Sequence, residues 1–272
     1  MIYVLGDINV DVVAVHELPI ADGSDTPASV SLLPGGSGGN VAAWLARAGV
    51  EVTLIGRVGD DAMADVALSR LDGVHLHVTR DPERSTGTCV VLVAPGGERT
   101  MLPDPGGNNA LAATDLPEFD GGILHVSGYA LLRPGSRAAA LEAIERARDA
   151  GLKISVDPAS AAPLANDPIF LARVAPIDLL LPNADEAHVL GPQISVPELV
   201  IKHGAMGATW SDGIETLAAR AVAVDDVVDT TGAGDAFAAG FLSVWPGSPS
   251  QALEAGARLA AQAIVRPGGR PA

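Results

Sequence analysis

The sequence predicts an α/β fold in which a mostly parallel central sheet is flanked by helices and carries a small second β-sheet. Three observations predict it. Apolar strand-like runs alternate with helical runs along most of the chain, the pattern of successive βα units. Five short β-like segments in the first 102 residues fall outside that alternation and can pair only with one another. Finally, 272 residues at 48% hydrophobic content bury a substantial core, yet leave too little chain for two full domains.

Ile2 to Leu5 is a buried strand, and Val12 to Val15 is another beyond the polar Asp7, Asn9 and Asp11. Ala28 to Leu33 is its expected partner across a turn rich in Pro and Asp. Val41 to Ala48 is a helix closed by Gly49, Val52 to Ile55 an apolar strand, and Ala62 to Leu71 a second helix. Three β-like runs follow, His75 to Thr79, Thr88 to Ala94 and Arg99 to Leu102, with a turn at Pro95-Gly96-Gly97. With the strands near 12–15 and 28–33 these make the small sheet, so a lid is expected from about 12–33 and 73–103. Strands at 123–127, 153–157, 177–181 and 199–202 then alternate with helices, which end in 236–245 and 249–265. In such a sheet ligands bind at the carboxyl ends of the strands.

Composition narrows the function. A formal charge of −16 argues against nucleic acid or an anionic membrane as partner. Lys153 and Lys202 are the lysines of the chain, and no Gly-x-x-x-x-Gly-Lys-[Ser/Thr] is present, so a P-loop is excluded as a phosphate device. Cys89 stands alone, without a disulfide partner, and is expected as a small core residue. A reducing compartment follows. The first residues lack a basic n-region and no apolar run reaches the length of about 20 needed to span a bilayer, so a cytoplasmic protein is expected.

The run Asp229-Thr230-Thr231-Gly232-Ala233-Gly234-Asp235, followed by the apolar helix, is the most telling segment. Backbone N–H groups at a helix start form an anion cradle, and Gly232 and Gly234 let a ligand approach the bare backbone. Asp235 beside that cradle would repel a phosphate, which its role as proton acceptor for an attacking hydroxyl explains. The same residues also suit an ordinary N-cap with a turn glycine. Asn9 and Asp11 share a strand face by period-2 alternation and suit a vicinal diol, or else a solvated strand end. Gly35, Gly36 and Asn40 form a glycine turn and a helix start; the missing third glycine excludes a dinucleotide fingerprint. Asn183 and Glu186 open a helix after the break at Pro182, where an acid also complements the helix dipole. His75 and His77 share a face, but without a third ligand nearby they are an ordinary lid surface.

The string from Asp229 to Phe241 closely resembles the C-terminal signature of the ribokinase (PfkB) family of carbohydrate and nucleoside kinases. Pro34-Gly35-Gly36-Ser37-Gly38-Gly39-Asn40-Val41-Ala42 resembles its N-terminal signature, and Gly6-Asp7-Ile8-Asn9-Val10-Asp11 its first strand. Further matches fall in order at Gly56 to Asp61, Thr86-Gly87-Thr88, Gly107-Asn108, Asp157-Pro158, Asn183 with Glu186, and Gly204 with Gly207. The resemblance implies a ribokinase-like three-layer fold and an ATP-dependent kinase that phosphorylates a hydroxymethyl group. It assigns Asp235 as base, with Gly232, Ala233 and Gly234 as the anion hole. The sugar falls to Asn9, Asp11, Gly35, Gly36 and Asn40, under a lid that closes over it. ATP falls to Asn183, Glu186, Lys202, Gly204, Gly207 and Thr230. Glu186 would serve magnesium through water, which suits a hydrated ion. The ending Arg266-Pro267-Gly268-Gly269 is similar to a closing loop that in several members binds a monovalent cation such as potassium, here with Asp229.

Three departures stand out. His203 occupies a position where an apolar residue or threonine is usual, and the segment between Glu186 and Leu199 is short for the family. Ala159 and Ser160 follow Asp157-Pro158 without the Asn and Arg of some sugar-acid kinases. Residues 12–33 and 73–103 contain no Phe, Tyr or Trp, which favours a sugar over a stacked purine, although Trp44 or Tyr129 can reach the pocket from outside the lid. A nucleoside kinase and a non-catalytic sugar-binding protein remain the alternatives. Arg99 is a further candidate for reaching substrate or phosphate, and the apolar runs Val12–Val15 and Thr88–Ala94, taken as lid edges, suggest a homodimer through the lid.

Overall fold

The computed structural model describes residues 1–95, 98–192 and 194–272; of the expected Pro95-Gly96-Gly97 turn, both glycines lie outside the described residues. In chain order the strands are β1 (Ile2–Leu5), β2 (Asn9–His16), β3 (Ala28–Gly35), β4 (Val52–Gly59), β5 (Val74–Asp81), β6 (Gly87–Val93) and β7 (Arg99–Asp104). They continue as β8 (Ile123–Ser127), β9 (Lys153–Asp157), β10 (Leu179–Leu180), β11 (Glu198–Lys202), β12 (Ala208–Ser211) and β13 (Thr216–Ala219). Among the described residues one sheet runs β13-β12-β11-β10-β9-β8-β1-β4-β5 and a second runs β3-β2-β6-β7. From β11 to β5 every pairing in the large sheet is parallel, and β12 and β13 are antiparallel at one edge.

A parallel sheet needs cover on both faces. Strand β1 distributes its side chains accordingly. Ile2 and Val4 join the core that includes helices Ser37–Arg47, Ala233–Leu242 and Pro249–Ala263. Tyr3 and Leu5 join the opposite core, with Ala140, Ala143 and Ile144 of helix Arg137–Asp149. This is the expected three-layer arrangement, and no helix among the described residues is long and apolar enough to cross a membrane.

Two expectations need correction. His75 to Thr79 does not belong to the lid: it lies in β5, which pairs in parallel with β4 from Val52↔Val74 to Gly59↔Asp81. Val74 and Val78 pack on the main core, and helix Ala62–Ala67 supplies the crossover that parallel neighbours require. His75 and His77 are exposed on that edge of the large sheet. The small sheet is therefore built from residues 9–35 and 87–104. Within it Val12–Val15 and Thr88–Ala94 are not edges, because β2 and β6 pair in parallel with each other at its centre. Its edges are β3 and β7.

Helix boundaries also shift. Asp61 accepts from the Ala64 N–H at 3.0 Å and caps Ala62–Ala67, which ends short of Leu71. The helix expected from Val41 begins at Ser37 and runs through Gly38 and Gly39. Both glycines are required by close packing: a Cβ on Gly38 would meet the Gly6 backbone, and one on Gly39 the Arg270 guanidinium. The helix expected from Ala236 begins at Ala233, with Gly232 in the left-handed region at φ 73° as its N-cap. Asp235 thus sits in the first helical turn.

Candidate active site

A cleft of about 1030 Å³ is lined by the ends of β9 and β11, at Asp157 and Lys202, and by Asn9, Asp11 and Cys89 of the small sheet. Asp235 lies within it, in the first turn of helix Ala233–Leu242. Its Oδ1 accepts from Ser37 Oγ at 2.9 Å and its Oδ2 from Asn40 Nδ2 at 2.8 Å, so the start of one helix orients the carboxylate of another. Burial lifts its pKa above the ordinary carboxylate range against the hydrogen bonds from Asn40 and Ser37, and the charge of Asp157 adds to the rise. Gly232, Ala233 and Gly234 all line the cleft beside it. The Ala233 N–H turns back to the Thr230 carbonyl at 3.2 Å, which makes the N–H groups of Gly232 and Gly234 the better anion donors.

The expected sugar residues converge at the small-sheet side. Asn9, Asp11, Gly36 and Asn40 line the cleft. Gly35 stands just behind, where a Cβ would strike the Asp11 carboxylate, and Gly36 at φ 86° leaves no room for one against the Asp7 carbonyl. Asn9 Oδ1 accepts from Asn108 Nδ2 at 2.7 Å, which fixes the amide and leaves its own Nδ2 as donor. Asn40 Oδ1 is buried without a hydrogen-bond partner. Burial pushes the pKa of Asp11 to about 6, opposed by the charge of Arg270 and reinforced by that of Asp235. Cys89 is buried as expected, yet borders the cleft.

The remaining residues line the other end. Asn183 and Glu186 form a reciprocal cap: the Glu186 N–H donates to Asn183 Oδ1 at 2.9 Å and the Asn183 N–H to Glu186 Oε2 at 2.8 Å. Burial and the neighbouring Asp157 push Glu186 to about 7. Lys202 Nζ pairs with Asp157 Oδ2 at 2.5 Å; burial disfavours its charge, but Asp157 and Glu186 outweigh burial and raise its pKa. Gly204, Gly207 and Thr230 face the same space, and Gly207 at φ 102° is held where a Cβ would meet the Ala219 carbonyl. His203 bonds Thr209 through Nε2 at 3.0 Å. Asp229 does not line the cleft; it accepts from the Thr231 N–H just before Gly232 and pairs with Arg99 at 2.5 Å.

Several residues of the site escape the sequence pattern. Ser37 lies in the glycine-bearing string from Pro34 to Ala42, where nothing in the pattern singles out its hydroxyl. Arg133 reaches into the cleft, pairs with Asp7 at 2.6 Å and lies 5.2 Å over the Tyr129 ring. Burial raises the Asp7 pKa despite that arginine, and burial pushes Tyr129 to about 12. Arg270, only 1% exposed, donates to the carbonyls of Gly35, Ala67 and Ser69 and so braces the glycine turn from beneath. Trp44 stays in the core with its Nε1 on the Gly269 carbonyl, whereas Tyr129 does enter the cleft. A small-residue shelf of Ala223, Val224, Ala260, Ala261 and Ile264 completes the end beyond Gly207.

Comparison with known proteins places the chain in a family. The model of the pfkB family carbohydrate kinases matches residues 1–272. An ATP-dependent ribose-1-phosphate kinase of Halopiger xanaduensis is 33% identical, covering 98% of this chain and 93% of its own length. A fructokinase of Vibrio alginolyticus is 30% identical over 89% of this chain and 83% of its own. The crystal structure of adenosine kinase from Sinorhizobium meliloti superposes with a TM-score of 0.86 at 22% identity, over 99% of this chain and 95% of that one. The chain belongs to the pfkB family of carbohydrate kinases.

Proposed function

We propose that this kinase transfers the terminal phosphoryl group of ATP to a hydroxymethyl group of a small sugar, with Asp235 as the base. One observation carries the reading: Asp235, held by Ser37 and Asn40, stands between a polar pocket and the glycine-rich helix start. Asp11, the Asn9 amide and the Asn40 side chain, which line the cleft together, fix the sugar hydroxyls. Asp235 accepts the proton of the attacking hydroxyl, and the rise in its pKa makes the ionised carboxylate a stronger base. The Gly232 and Gly234 N–H groups stabilise charge on the transferred group; losing one donor of this kind costs about 10²–10³ in turnover. Lys202 adds a positive charge at the same point, close to Gly234. The small-residue shelf accepts the adenine, and the small sheet closes over the sugar to exclude water.

Magnesium fits the donors only as a hydrated ion carried by the nucleotide. Among the described residues no three His, Cys, Asp or Glu side chains converge on one point. Glu186 keeps lone pairs on both oxygens beyond its cap, enough to hold metal-bound water. When bound, the ion would neutralise charge on the phosphates.

Tyr129 bears on the nucleoside alternative. Stacking on an aromatic face strengthens the hold on a purine by about 1–3 kcal/mol, and one face of the Tyr129 ring already carries the Arg133 guanidinium. That supports a sugar acceptor, as does the absence of aromatic residues from the small sheet. Assembly through that sheet and a cytoplasmic setting, which keeps Cys89 reduced, complete the reading. A screen of ATP consumption over pentoses, hexoses, sugar phosphates and nucleosides tests it. A sugar or sugar phosphate is expected to give the highest specificity constant; adenosine at least about tenfold above every sugar would overturn the assignment.

A further inference from the structure

The resemblance implies a monovalent cation at Asp229, and the residues there do not fit one. Asp229 Oδ1 accepts from the Thr231 N–H at 2.6 Å and pairs with Arg99 Nη1 at 2.5 Å, while Oδ2 accepts from the Gly268 N–H at 2.9 Å. The same Arg99 nitrogen also donates to Thr231 Oγ1. An ion seated on this carboxylate would lie against a guanidinium that stays charged throughout the working pH range, and the two like charges would repel. A carboxylate that accepts two backbone N–H groups and faces a guanidinium is held as the anion, and it needs that counter-charge beside an incoming triphosphate.

We propose that Arg99 is a positioning residue that takes the place of a monovalent cation at Asp229, so that this kinase works without potassium. The inference rests on the kinase reading of the cleft. A guanidinium supplies the same single charge, and its directional donors engage both the carboxylate and the Thr231 hydroxyl. It thereby holds residues 229–232 in the turn that aims the Gly232 and Gly234 N–H groups at the phosphoryl group. Arg99 is also the first residue of β7, so the contact ties the small sheet to the anion hole, which a free ion cannot do.

The test compares wild type, Arg99→Met and Arg99→Lys in potassium chloride and in tetramethylammonium chloride at equal ionic strength. Two quantities are read: turnover with ATP and D-fructose, D-ribose or ribose 1-phosphate, and melting temperature without any substrate. Wild type is expected to behave alike in both salts. Arg99→Met is expected to lose about tenfold or more in kcat with little change in KM in tetramethylammonium, and to regain part of it in potassium. Its melting temperature should rise with potassium only, and Arg99→Lys should stay near wild type. A potassium-specific rise in wild-type turnover or melting temperature overturns the proposal, as does an Arg99→Met variant with wild-type turnover in both salts. The melting readout needs no turnover, so it decides the cation question even where no sugar tested is an acceptor. Should Arg99→Met fail to fold, the wild-type salt comparison and Arg99→Lys still decide.

Discussion

Asp11 is placed under opposite demands by folding and by binding. Its pKa of about 6 in the folded chain, against 3.8 as its ordinary value, reflects burial that disfavours the charge with which, on the proposed reading, it would hold a sugar hydroxyl. A carboxyl whose folded pKa is raised binds more protons folded than unfolded between those two values, so stability falls as pH rises through that window. Asp11→Asn is therefore expected to stabilise the protein near neutrality by up to about 3 kcal/mol, with the advantage vanishing near pH 4. Thermal unfolding of both proteins across pH checks this; equal melting temperatures at neutral pH would contradict it. Sugar binding should be lost in the same variant. In the wild type kcat/KM should fall as pH drops through about 6, because protonation removes the acceptor. The residues that were legible in sequence are those inside short glycine-bearing strings, such as Asp11, Asn40 and Asp235. Ser37 lies inside such a string but its hydroxyl role does not show there, and Arg270 lies outside any, because the contacts that give them their roles span 198 residues for Ser37 with Asp235 and 235 for Arg270 with Gly35. Spacing along the chain carries no trace of such pairs.

At the scale of elements, the helix that carries Asp235 is seated by glycine. A Cβ on Gly240 would meet the backbone of Ala255 and Gly256 in helix Pro249–Ala263, and one on Gly256 would press on the Phe237 ring. Close approach of these two helices fixes where the first turn of Ala233–Leu242 points. Gly240→Ala is thus expected to lower stability by about 1–3 kcal/mol through overpacking, despite the better helix propensity of alanine. Denaturant unfolding measures it, and an unchanged midpoint would show that the helices can separate freely. The strands β1, β4, β8 and β9 are readable because each centres on apolar residues buried on both faces, and β11 because of its apolar Leu199–Ile201. The hairpin β12–β13 was not anticipated: its strands are short, although the Asp212 carboxylate accepting from the N–H groups of Ile214 and Glu215 marks the turn at Asp212-Gly213. Strand β5 was assigned to the wrong sheet, since a half-exposed run of His and Val reads alike on either one.

For the whole molecule, the small sheet leaves apolar residues in the open. Val30 is 62% exposed on β3 and Leu102 55% exposed on β7, with Leu32 and Met101 nearby on the same two edge strands. Edge strands of this composition invite pairing with a second copy, which would cover the lid and stiffen it. Sedimentation velocity at micromolar concentration is expected to show a dimer, and Val30→Lys with Leu102→Lys to shift it toward monomer. A monomer throughout would contradict assembly while leaving the chemistry of the cleft untouched. On the proposed reading that chemistry turns on one carboxylate, so Asp235→Asn is its most direct test: the substitution keeps the size, an amide oxygen can still accept from Asn40 while the Ser37 hydroxyl turns to accept, and proton acceptance is removed. Steady-state kinetics with ATP and the best acceptor should show turnover lowered by about two to four orders of magnitude with little change in KM. A variant that keeps more than about a tenth of wild-type turnover would contradict the assignment of Asp235 as the base.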